Sequence, residues 1–382
     1  MKIFVSAGES SGDLYAAALV AELQKRLPSA TFLGCAGPRL QALGVRPIVD
    51  SRALNVVGLV EVVRHIPRIR GVFHQLAAAA QAERPDLAIL TDSSAFHLRL
   101  APKLHALGIP IVYLVAPQAW AWREGRVKTM RRYLSHLLCI FPFEEDFFAS
   151  RGVRTTYIGH PLTRLVKPEQ TRDQFLASNR IPPDRPVVTL LPGSRPGEIA
   201  RHLPILAAAV ERIGAKTPAT FLLATPKGLD LTTLKEPGLP ASIQHIGGAT
   251  WDAIAHADLA LAASGTVTIE AAMLGTPMVA YYKVSPWSWW MGRYLVKVPF
   301  FSMVNLVAGR AVVPELIQDR LSPDTLAEAA LRLLGNEEAR LAQKLGLHEV
   351  TRKLASDRDP MERAADIVLQ YLPGTPAELR SA

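Results

Sequence analysis

The chain has 382 residues, 49% of them hydrophobic, and a formal net charge of +9. That length suggests two domains, and the apolar fraction is enough to bury a sizeable core, which argues against disorder. The positive balance points to nucleic acid, an anionic lipid surface or a phosphorylated substrate, or to a basic surface that serves solubility alone.

The N-terminus enters an apolar run at once, with no basic leader, and no stretch of about 18 uncharged apolar residues occurs. Neither a secretion signal nor a membrane-spanning helix is expected. Cys35 (in FLGCAG) and Cys139 (in LLCIF) lie in strand-like runs. They read as small core residues in a reducing compartment rather than as a disulfide.

From the N-terminus, short apolar runs alternate with amphipathic helices. KIFVSA precedes a helix from Leu14 to Arg26, TFLGCAG precedes PRLQALG, and LAILTD precedes LRLAPKLHALG. IPIVYLVAPQ, LLCIF and TTYIGH are further strands. The proline-bearing stretch VKPEQTRDQFLASNRIPPDRP reads as a linker. The alternation resumes with VVTLLPG, ATFLLAT, SIQHIGG, LALAAS and PMVAYYK, and from about Pro314 the chain reads as helical. The expected fold class is α/β: two doubly wound, Rossmann-like domains facing a cleft at the carboxyl ends of their parallel strands.

Loops that follow strands therefore carry the candidate chemistry. In the first domain, Gly8, Glu9, Ser10, Ser11, Gly12 and Asp13 form the first such loop. Its two acids disfavour a bare diphosphate, so it is assigned to sugar hydroxyls. Asp92 ends LAILTD, and it either takes a proton from an alcohol or caps an Asx turn. Gln118, Trp120, Trp122 and Arg123 suit a sugar ring, unless the tryptophans are core. His160, in GHP, is either a ligand or a structural histidine at a hinge.

In the second domain, Gly193, Ser194 and Arg195 of LLPGSRPGE offer backbone amides and a guanidinium fork to a phosphate. Ser264, Gly265 and Thr266 stand at a helix N-terminus, a site for a diphosphate, and Glu270 one turn later suits ribose hydroxyls. Capping accounts for Thr266 and Glu270 equally well when that loop is taken alone. Asp357 and Asp359 have metal-type spacing but precede Pro360, where acids cap a helix, so no metal site is assigned.

Two stretches mix bases with apolar side chains. NVVGLVEVVRHIPRIRGVF favours a lipid contact. SPWSWWMGRYLVKVPFF fits a lipid contact, an inter-domain core or a subunit interface equally.

The order and spacing of AGESSGD, AGPRLQALG, GLVEV, APQAWAWR, FPFE, IGHPL, LLPGSRPGEI, ASGTVTIEAAMLGTPMV and MVNLVAGR resemble the lipid-A-disaccharide synthase family. These are bacterial glycosyltransferases of the GT-B type, and the similarity runs nearly end to end. It implies domains over 1–165, completed by a C-terminal helix near 360–382, and over 166–359. It implies an inverting transfer from UDP-2,3-diacylglucosamine to the 6-hydroxyl of 2,3-diacylglucosamine 1-phosphate (lipid X), with UDP leaving and no metal or other cofactor. It further implies Asp92 as the base, Asn305 and Arg310 near the nucleotide, and Gln118 and Arg123 near the acceptor or its phosphate. Work at the cytoplasmic face of the inner membrane as a peripheral protein follows from the acylated substrates. Nucleic acid is not a partner, and a homodimer is suggested. One departure stands out: the family's second acid after the cleft aspartate is absent, since Ser93, Ser94, Ala95, Phe96 and His97 follow Asp92. The competing readings are a UDP-sugar epimerase on the same scaffold and a non-catalytic lipid-binding protein.

Overall fold

The computed structural model describes residues 1–54, 59–226, 240–285, 289–290 and 298–374. The chain divides into two compact units: Met1–Pro161 together with the segment from Leu354 onward, and Leu162–Lys353.

The N-terminal unit holds a parallel sheet of strands β1 (Lys2–Ala7), β2 (Thr31–Ala36), β3 (Arg46–Asp50), β4 (Leu87–Thr91), β5 (Ile111–Leu114), β6 (His136–Cys139) and β7 (Thr155–Tyr157). Their order is β3-β2-β1-β4-β5-β6-β7. β1, β4, β5 and β6 are apolar nearly throughout and buried along their length, as strands covered on both faces must be. The helices are α1 (Ser10–Arg26), α2 (Pro38–Ala42), α3 (Leu59–Glu83), α4 (Ser94–Ala106), α5 (Arg126–Tyr133) and α6 (Pro142–Ala149). One core packs α3, α4 and α5 on the sheet through Leu76, Leu100, Leu104, Met130 and Tyr113. The unit is closed by the helix Pro360–Leu369, which lies on α1.

The C-terminal unit begins with α7 (Leu162–Leu165) and α8 (Arg172–Ser178). Its strands are β8 (Val187–Leu191), β9 (Thr220–Thr225), β10 (Ile243–Gly247), β11 (Leu259–Ala263), β12 (Met278–Tyr282) and β13 (Glu315–Ile317). They stand in the order β10-β9-β8-β11-β12-β13. Helices α9 (Pro196–Gly214), α10 (Thr250–Ala255) and α11 (Thr266–Met273) follow β8, β10 and β11. Each sheet therefore reverses its winding once, between β1 and β4 in one unit and between β8 and β11 in the other. Ligands of doubly wound sheets collect at such points.

Four details depart from the sequence reading. The presumed linker contains α8, whose Thr171 accepts from the Gln174 amide in a capping box. β3 was not expected, because Pro47 interrupts a short edge strand. β13 has only three residues and lies in the stretch read as helical. Helix α1 starts at Ser10 rather than Leu14, so the residues read as a loop are mostly its first turn. No helix among the described residues is long and apolar enough to cross a membrane.

Candidate active site

In the N-terminal unit the register aligns Ala7 of β1 with Thr91 of β4. The start of α1 and the turn after β4 are thereby brought side by side. Asp92 turns away from the strand with φ 51°, and Ser93 follows at φ 34°. Both are left-handed conformations that side chains other than glycine adopt only when the surroundings enforce them. The enforcement is visible. The main-chain carbonyl of Asp92 accepts from Nδ1 of His97 at 3.0 Å and from the Tyr113 hydroxyl. Nδ1 therefore carries the proton, and Nε2 accepts from the Ser6 hydroxyl at 2.7 Å. Burial pushes the His97 imidazole down to about 4, which keeps this neutral tautomer in place.

The Asp92 carboxylate lies over the N-terminus of α1. Oδ1 accepts from the Gly8 amide at 2.9 Å and Oδ2 from the Glu9 amide at 3.0 Å. A Cβ on Gly12 would come within 1.5 Å of Oδ2, so only glycine admits the carboxylate here. Burial, and then the neighbouring Glu9 carboxylate, raise the Asp92 carboxyl well above its usual range, against the opposing pull of the two amides.

The other first-domain candidates separate. Asp13 is buried and spends its carboxylate on the amides of Gly37, Arg39 and Leu40 at the start of α2, so it caps a helix and faces no sugar. Ser10 is exposed and Ser11 half-buried, and neither hydroxyl is bonded among the described residues. Trp120 is half-buried; its indole donates to the buried Glu144 at 2.9 Å and packs edge-on against Phe143. Burial raises the Glu144 carboxyl to about 7. Trp122 and Gln118 are exposed. The Arg123 guanidinium lies 4.4 Å from the Trp122 ring centroid. His160 is a buried aromatic residue between Tyr15 and Phe141, held neutral with its pKa lowered to about 3 by burial.

In the C-terminal unit, β8 and β11 place the loops 192–195 and 264–266 together. Gly193 has φ 115°, and a Cβ there would meet Glu198 at 2.8 Å. Arg195 is the N-cap residue of α9, and its Nη1 lies 3.2 Å from Glu198. Glu198 also accepts from the Tyr282 hydroxyl at 2.8 Å. Ser194 is exposed. Of the Ser264–Thr266 amides, that of Ser264 donates to the Tyr281 carbonyl, and the Ser264 hydroxyl to the Phe301 carbonyl. Thr266 opens α11, where the first amides have no partner within the helix. Beside Gly265 lies open space, with no atom within 4 Å of where a Cβ would stand. Glu270 accepts from the Trp251 indole at 3.0 Å.

Two residues assigned to the nucleotide are engaged elsewhere. Asn305 is buried with its amide fully used: it donates to Val313 O and Glu315, and accepts from the Val312 and Val313 amides. It braces the turn into β13. Arg310 is exposed and pairs with Glu349 at 2.7 Å. Asp359 accepts from the Met361 and Glu362 amides as the cap of the last helix, the role its sequence context implied. No group of three metal-ligating side chains occurs among the described residues. Of the two lipid-type stretches, residues 55–58, 286–288 and 291–297 lie outside the described residues, with Trp287, Arg293, Tyr294 and Lys297 among them.

Sequence reasoning missed Ser6, His97 and Tyr113, the residues that hold Asp92. The one available signal was His97 itself, a titratable residue on the helix that starts beside Asp92.

A family model described as lipid-A-disaccharide synthetase matches residues 3–368. The lipid-A-disaccharide synthase of Solibacter usitatus is 56% identical over 373 residues, covering 98% of each chain. Among solved structures, the kitacinnamycin glycotransferase superposes with a TM-score of 0.66 at 17% identity, covering 97% of this chain and 99% of that one. A UDP-GlcNAc 2-epimerase from Neisseria meningitidis, bound to UDP-GlcNAc, gives a TM-score of 0.63 at 13% identity, covering 97% and 99%. At those identities the likeness is one of fold.

Proposed function

The chain belongs to the lipid-A-disaccharide synthase family of glycosyltransferases, and from that we propose that it joins UDP-2,3-diacylglucosamine to 2,3-diacylglucosamine 1-phosphate. The observation that carries the mechanism is the Asp92 carboxylate, fixed in a left-handed turn and gripped by the Gly8 and Glu9 amides just ahead of α1. Asp92 accepts the proton of the acceptor's 6-hydroxyl as that oxygen bonds to the donor's anomeric carbon. The bond from that carbon to the diphosphate breaks, UDP departs, and the configuration inverts. A carboxyl held above its usual range is a better proton acceptor for an alcohol than an ordinary carboxylate.

The C-terminal unit receives the nucleotide in this reading. Charge that grows on the leaving diphosphate is met by the Arg195 guanidinium and by the amides of Gly265 and Thr266, fixed donors that need no rearrangement as the reaction proceeds. Glu270, already oriented by Trp251, takes the ribose. Acylated substrates require a lipid surface. Ile66, 50% exposed beside the exposed Arg68 and Arg70, supports contact of the N-terminal unit with an anionic cytoplasmic leaflet. Trp290, 56% exposed, gives similar support for the C-terminal unit. A homodimer is the assembly the family leads us to expect, and sedimentation velocity tests it.

Mass spectrometry after incubation with both substrates should show the acylated disaccharide 1-phosphate together with UDP. Conversion of the UDP-sugar with no second sugar present would instead make the protein an epimerase.

A further inference from the structure

Beside Asp92 stands a group of cations that the mechanism above does not use. Arg126 opens α5 and is half-buried, with Nη1 donating to the Ser94 hydroxyl at 2.8 Å, two residues beyond Asp92. The exposed Trp122 ring lies 5.1 Å from the Arg126 guanidinium and 4.4 Å from that of Arg123. Arg99, exposed on α4, is close enough to repel Arg126. Burial, then Arg123 and Arg99, lower the Arg126 pKa from its usual value. Among the described residues none of the three guanidinium groups pairs with a carboxylate, and the nearby Glu124 is taken by Arg151 at 2.8 Å.

Like charges gathered around one of their number, itself half-desolvated, repel one another until an anion arrives. The indole and Ser94 hold two of the forks in place beforehand, which spares the ordering cost of binding. Guanidinium forks match the paired oxygens of a phosphate. We propose that Arg126, with Arg123, Arg99 and Ser94, forms a phosphate-monoester site beside Asp92, and that it receives the phosphate of the acceptor sugar. The identity of the acceptor rests on the reading under Proposed function; the anion site itself does not. By gripping the far end of the acceptor, the site turns the sugar's free hydroxyl toward Asp92 and selects phosphorylated acceptors over unphosphorylated ones.

The test compares wild type with Arg126→Ala, Arg126→Lys and Arg123→Ala, after thermal melts confirm that each folds. With lipid X as acceptor, Arg126→Ala should raise the acceptor KM at least 10-fold and leave the donor KM unchanged. Arg126→Lys, which keeps the charge and loses the fork, should fall between the two. Wild type should prefer lipid X to the same diacylglucosamine without its phosphate, and that preference should disappear in Arg126→Ala. Glucose 1-phosphate, titrated by NMR, should bind wild type more tightly than the variant. If that binding difference appears but wild type makes no disaccharide, the anion site stands and the acceptor reading fails. If instead the preference for the phosphorylated acceptor survives in Arg126→Ala while binding to phosphatidylglycerol vesicles is lost, the arginines serve the membrane and the proposal is overturned. An unchanged acceptor KM in an active Arg126→Ala enzyme overturns it as well.

Discussion

The Cα of Gly12 and the carboxylate of Asp92 are in such close contact that a single methyl group on Gly12 would overlap Oδ2 at 1.5 Å. Gly12 therefore defines where the proposed base can stand. Gly12→Ala should lower turnover about 10²-fold, because the carboxylate must leave the Gly8 and Glu9 amides to make room for the methyl group. Asp92→Ala should lose a similar factor and still bind UDP. In the Asp92→Ala background Gly12→Ala should have almost no further effect, because the atom it displaces is gone. Independent, multiplying losses in the double variant would sever the two residues.

The raised Asp92 carboxyl has a kinetic signature. The base works ionised, so kcat/KM should fall as pH drops through its pKa in the free enzyme. Since that pKa is held above the usual carboxylate range, the acidic limb should begin well above pH 4. A rate that stays flat down to pH 4 would show that Asp92 titrates like a solvated acid.

His97 is a positioning residue, since it reaches the main chain of Asp92 and not the proposed reacting atoms. His97→Ala should free the carboxylate to rotate toward water, which lowers kcat and moves the acidic limb toward lower pH. His97→Asn keeps an N–H for the Asp92 carbonyl and should recover much of both. A variant slowed at every pH by one factor, with its limb unmoved, would point to a packing role alone.

For the nucleotide, Arg195→Ala should weaken UDP roughly 10- to 100-fold by calorimetry, the usual weight of a charge-assisted hydrogen bond. Its helix begins with Glu198 as partner, so melting should change little. Unaltered affinity would remove Arg195 from the phosphate site.

Acid should unfold the N-terminal unit early. His97 and His160 are held neutral at about 4 and about 3, against an ordinary value near 6.5. The unfolded chain therefore binds more protons as pH falls below about 6.5, and stability declines from there until the folded-state values are passed. Once the folded-state values are passed, that loss is on the order of 3 kcal/mol for His97 and about 5 kcal/mol for His160. Glu144 acts in the opposite sense: its folded-state value is raised to about 7, which favours the folded state as pH falls through that window. Melting temperatures between pH 7 and 4 should drop in wild type and drop less in His160→Gln.

Much of the architecture was legible because buried parallel strands are apolar for their whole length and helices follow them at fixed period. β3 and β13 escaped because an edge strand of three to five residues leaves no pattern long enough to recognise. The site was legible as positions and illegible as partnerships. Asp13 and Asp92 both follow strands, yet one closes the end of α2 and the other lies over the end of α1. Trp120 and Trp122 are two residues apart, and only the first has an acid to bond beneath the surface. Asn305 has the right chemistry for a nucleotide, but three-dimensional neighbours consume all of it. Such pairings reach from 7 residues along the chain for Asn305 to 84 for Asp92, beyond what local pattern encodes.

The last helix belongs to the first sheet. Its buried face of Met361, Ala364, Ala365 and Val368 covers α1, Arg26 pairs with Asp366, and the Tyr371 hydroxyl donates to Ser135 O at 3.0 Å. On the ribosome, the part begun earliest is thus the part finished latest. The middle of the protein emerges whole while α1 still waits, bare on one side, for its lid to be translated.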